Sequence, residues 1–134
     1  MAIRTIFLSK LIGLYSIVIS LAMMAHKQAT VETVTAMIHD APLMLFMGIV
    51  VVVAGLAMVL SHNVWSGGAA AVIVTLVGWI TLVKGALFLI LPADVVANFY
   101  LRSLHYEQFF YFYVGLSLLL GAYLCYSGFK AGAP

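Results

Sequence analysis

Lys84 is the residue whose type and setting most call for chemistry. It lies in an apolar run from Ala69 to Leu91, about 6 Å from the run's midpoint at 1.5 Å per residue. A lysine near the centre of a lipid-embedded helix costs roughly 2.5–3.5 kcal/mol on insertion scales. It therefore either snorkels to the headgroups, pairs with a carboxylate, or lines a polar path. Asp40, Asp94 and Glu107 are the candidate carboxylates. For a polar path the ion-path candidates are Lys84, Thr81, Asp40 and Glu107, with Thr81 one helical turn from Lys84. Gly85 beside the lysine permits close approach of a neighbouring helix.

Three histidines form a second group. His26 ends the first apolar run, His39 with Asp40 precedes the second, and His105 with Glu107 precedes the fourth. At one membrane level these residues could bind a metal or sense protons. No HxxxH or HExxH spacing supports a metal, and Asp40 and Glu107 also suit the positive ends of helices. The methionines near His26 and His39 make copper(I) thinkable, but methionine is far commoner as packing. No cofactor is expected.

A third group is His62-Asn63-Val64-Trp65, followed by Ser66, Gly67 and Gly68. Asn63 and the glycines suit a turn, Trp65 an interfacial anchor, and His62 a bond to the open carbonyls of the preceding helix. No nucleophile elbow, catalytic triad order or phosphate loop is present, so the chain reads as a non-enzyme. Cys125 stands alone and behaves as a small hydrophobe.

The elements that position these groups follow from composition. Of 134 residues, 66% are apolar and 7% charged, and mean hydropathy is +1.20. A soluble domain is nearer 25% charged. This excludes a soluble domain, a disordered chain and a nucleic-acid binder; the partner is the lipid bilayer. A net charge of +2 is too small to specify another. Four runs are long enough to span: about 6–25, 41–61, 69–91 and 109–127. Backbone amides in lipid must bond internally, and the runs lack the alternation of barrel strands, so they are helices. The expected fold is all-α: four transmembrane helices in one antiparallel bundle. The first run is expected to be a retained span, because Met23 and Ala25 make a poor signal-peptide cleavage site.

The short turn between spans two and three forces a hairpin. The longer connections each carry an apolar stripe at helical spacing: Val31, Val34, Met37 and Ile38 in one, Val95, Val96, Phe99 and Leu104 in the other. Both are expected to be short amphipathic helices at the outer interface. Arg4, Lys10 and Lys130 against Lys27 and Arg102 place both termini inside. The two halves share a similar layout, with Leu11-Ile12-Gly13 aligning on Leu76-Val77-Gly78, but any two Leu/Val/Gly-rich spans align this well.

His62-Asn63-Val64-Trp65, then Gly78-Trp79, then Lys84-Gly85, resembles a pattern in small four-span bacterial membrane proteins of unassigned function. The resemblance covers roughly residues 42–92. It implies a bacterial inner-membrane location and a four-span fold, and no activity. Two functions then stand level: a small homo-oligomeric conduit for ions or protons, and a scaffolding or accessory subunit packed on a partner membrane protein. A metal-handling protein using His26, His39 and His105 is a distant third.

Overall fold

The computed structural model describes residues 2–99, 105 and 108–131. The helices in chain order are α1 (Ile3–Ala25), α2 (Lys27–Ile38), α3 (Ala41–Ser61), α4 (Ala69–Ile90), α5 (Ala93–Asn98) and α6 (Phe110–Ala131). Four of them, α1, α3, α4 and α6, are long and apolar enough to cross a membrane. No strand occurs among the described residues. The spans match the expected runs closely; α1 begins three residues earlier and α6 runs four residues further.

Helix ends follow local chemistry. Asp40 caps α3, its carboxylate accepting from the Leu43 N–H at 3.2 Å, with Pro42 in the first turn where no donor is missed. α4 stops at Leu91, before Pro92, which cannot continue it. Gly67 and Gly68 take positive φ angles of 91° and 120° in the α3–α4 turn, conformations closed to most residues.

The spans associate as two tight antiparallel pairs. α1 packs along α6, and α3 along α4. The seams are built from small residues. A Cβ on Gly55 would lie 2.5 Å from the Leu82 backbone, and one on Gly85 would lie 2.7 Å from the Val52 nitrogen. Gly13 meets the Cys125 backbone in the same way, at 2.7 Å. With no side chain between them the backbones approach closely, which substitutes dispersion contacts for a hydrophobic driving force that lipid does not supply. Gly48 and Gly55, Gly78 and Gly85, and Gly121 and Gly128 each stand a heptad apart, the repeat that keeps one seam on a left-handed pair. Cys125 accordingly acts as a seam residue.

The pairing is nested. The first span closes on the last, and the second on the third, rather than each half forming its own hairpin. The two pairs meet over a smaller area, where α4 touches α1 and α6. At the end carrying the start of α1, the end of α6 and the α3–α4 turn, a cluster of Leu8, Ala70, Val74 and Leu124 joins them. At the opposite end α2 is the strap: Val31 packs on Phe110 and Val114 of α6, and Ile38 packs with Met44 of α3 and Val96 of α5. The stripe expected on this connection is real, but it faces the ends of the spans. In α5 the buried residues are Val96 and Ala97, while Val95 and Phe99 are 42% and 53% exposed. Leu104 and Arg102 lie outside the described residues.

Candidate functional site

Polar groups collect at two places. The first surrounds His62, which leaves the end of α3 in extended backbone and turns its ring inward. The side chain is 4% exposed, against Thr5 at 2% and Thr75 at 0%. Thr5 Oγ1 lies 2.8 Å from His62 Nε2, and Thr75 Oγ1 lies 3.0 Å from Nδ1. The Thr75 hydroxyl also accepts from the Val64 N–H at 3.0 Å and has the Val64 and Ala71 carbonyl oxygens at 2.7 and 3.0 Å. One lone pair is taken by Val64, and the single proton goes to a carbonyl, which can only accept. The remaining lone pair therefore receives Nδ1–H, while the Thr5 hydroxyl bonds the other ring nitrogen, Nε2. Every polar atom of the trio thus has a partner.

The open carbonyl that sequence reasoning gave to His62 goes elsewhere: Arg4 donates to the Ser61 carbonyl at 3.2 Å. His62 instead ties α1 to α4. Thr5 and Thr75 were not singled out from sequence, since a threonine in an apolar run is usually bonded to its own helix. Asn63 behaves as a clamp as well as a turn residue. Its side-chain oxygen accepts from Trp65 Nε1 at 2.9 Å and Trp79 Nε1 at 3.3 Å. Ser9 Oγ, buried in the α1–α6 seam, has no hydrogen-bond partner among the described residues.

The second place is Lys84. It lies on the face of α4 turned away from α3, because Gly78 and Gly85 occupy the seam. There α4 and α5 form an open cleft of about 670 Å³. Trp79, Ile80, Val83 and Leu87 line it from α4, with Val95 of α5 and Phe99 just beyond that helix. Lys84 is its charged residue, exposed, with Nζ 5.6 Å from the centroid of the Phe88 ring. Among the described residues no carboxylate pairs with it.

Its expected companions are scattered. Gly85 abuts Val52, which puts Asp40 twelve residues along α3 from the level of the lysine, roughly 18 Å away. Asp40 is occupied as the α3 cap. Thr81 lies off the cleft, its hydroxyl donating to the Val77 carbonyl at 2.7 Å. Glu107 lies outside the described residues. Among the described residues, Lys84, Thr81 and Asp40 are thus not grouped along one path in a single copy.

The histidines are not brought together either. His26 and His39 flank the twelve residues of α2, about 18 Å of helix. His39 Nδ1 is 2.7 Å from the Thr35 carbonyl oxygen, on its own helix. His105 has a positive φ of 48° and meets Phe109 edge to face at 6.2 Å. Among the described residues no three His, Cys, Asp or Glu side chains are grouped to hold a metal.

Three fragments separated in sequence therefore meet in space. Asn63 pins Trp79, Trp79 lines the cleft, and Lys84 charges it, while Gly78 and Gly85 seat the helix that carries both. Compared with family models, curated proteins and solved structures, the chain matches none.

Proposed function

We propose that this protein is a non-catalytic accessory subunit of a bacterial inner membrane, crossing it four times with both termini in the cytoplasm. The observation that carries this reading is how its polar groups are used. His62, Thr5, Thr75, Thr81, Asn63 and Asp40 are each engaged in bonds that build the fold. The α1–α6 and α3–α4 seams are glycine-packed, with backbones so close that an added Cβ would clash. What the spans present outward is apolar, with Phe7, Val53, Ile80 and Leu119 all more than 60% exposed. Such faces suit lipid and the helices of a partner. The resemblance around His62–Trp65 and Lys84–Gly85 supports the same location.

Reconstitution into liposomes loaded with a pH- or ion-sensitive dye tests it. Wild-type protein and Lys84→Leu are both expected to leak no faster than protein-free vesicles. Flux that appears with wild type and vanishes with Lys84→Leu would instead establish the conduit. That second reading draws on one observation: Lys84 is exposed, so a ring of copies joined through the α4 face would place one ammonium per chain at its axis. Crosslinks between α4 helices of neighbouring copies, coinciding with flux, are its signature.

A further inference from the structure

We propose that the α4–α5 cleft is a binding site for one anionic phospholipid of the bilayer, its phosphate on the Lys84 ammonium and an acyl chain over Ile80 and Val83. The inference goes beyond the accessory reading but rests on it, since a ring of copies joined through the α4 face would occupy the same cleft.

Three observations lead to this occupant. First, among the described residues the cleft carries a cation and no anion. Its lining contains no carboxylate, and no described carboxylate pairs with Lys84. In a low-dielectric surrounding an ammonium attracts an anion strongly, so net negative charge is what the site lacks. Second, the rest of the wall is apolar on both helices, and its volume of about 670 Å³ falls within the range of small-molecule sites, about 300–1,000 Å³. A ligand complementary to it has one negative head and a hydrocarbon body. Third, the geometry has a direction. Lys84 sits past the middle of α4, with its ammonium 5.6 Å from the centroid of the Phe88 ring, which leans back over the lysine's own turn. The end of α4 at Ile90 is six residues, about 9 Å of helix, further on, within the snorkelling reach of a lysine. Trp79, held by Asn63, closes the other end, toward the midplane.

The alternative occupant is a transmembrane helix bearing a carboxylate. α5 argues against it. Beyond Pro92 this helix packs through Val96 and Ala97 on Ile38 and Met44, and so crosses the end of α4. A helix about 10 Å wide running the length of α4 on this face would meet α5. A lipid whose head stops in the corner would not.

Native mass spectrometry of the full chain, released from micelles containing equal phosphatidylglycerol and phosphatidylcholine, tests the site. Wild type is expected to retain one phosphatidylglycerol in about tenfold preference. Lys84→Met should bring the preference close to parity, Lys84→Arg should keep it, and Val83→Trp should reduce retention of both lipids by filling the cleft. Circular dichroism establishes that each variant is folded. Equal preference in wild type and Lys84→Met overturns the proposal. A photoreactive residue at position 83 in the otherwise native chain supplies an independent reading: a phospholipid adduct is expected, and a crosslink to a protein helix overturns it.

Discussion

The two polar regions of this protein use the same currency of side chains in opposite ways. At the end bearing the α3–α4 turn, a histidine and two threonines are buried and satisfy one another, and the trio fastens α1 to α4. Across the molecule, Lys84 stands exposed in an apolar cleft and is left without a counter-charge by the described residues. A satisfied buried network holds a fold together; an unsatisfied group at a surface is available to something outside the chain. The contrast assigns structure to one region and recognition to the other, the reverse of what residue types suggest, since histidine is the usual site residue and lysine the usual surface one.

Substitutions break or sharpen this contrast through their signs. Thr75→Val should have the largest effect, because it orphans both the Val64 N–H and the His62 Nδ1–H: a loss of about 2–4 kcal/mol, read by denaturation in mild detergent. A loss below about 0.5 kcal/mol would mean that the trio is not what joins the pairs. Thr5→Val removes a single bond between helices and should cost about 0.6–1.7 kcal/mol in the same measurement. Asn63→Ala frees the rings of Trp65 and Trp79; about 1 kcal/mol is expected, together with a change in tryptophan emission that a purely local turn defect would confine to Trp65. Lys84→Leu should move stability least, and upward if at all, because it removes a charge from lipid at the loss of only its contact with the Phe88 ring. Marked destabilisation by that variant would place Lys84 with His62 as a structural residue and erase the distinction.

Glycine supplies a related lesson. Gly55 and Gly115 look alike in sequence, each in the middle of an apolar run. A Cβ at Gly55 would collide with the Leu82 backbone at 2.5 Å, whereas one at Gly115 meets nothing within 4 Å. The heptad partner of Gly55 at Gly48 was the available signal, and Gly115 has no such partner.

Composition and run length alone determined that the chain is helical and membrane-sized, where each span begins and ends within a few residues, and that two linkers carry apolar stripes. These are local or summed properties: every backbone amide in lipid must bond within its own helix, so hydropathy along the chain is enough to locate the spans. Which helix closes on which, whether a stripe faces lipid or protein, and which polar residues meet were decided only by tertiary structure. Thr5, His62 and Thr75 are brought together across 57 and 13 positions of chain, and Lys84 is parted from Asp40 by the register of a glycine seam. That register is set by backbone contact between helices, a pairwise fit that no single segment carries by itself.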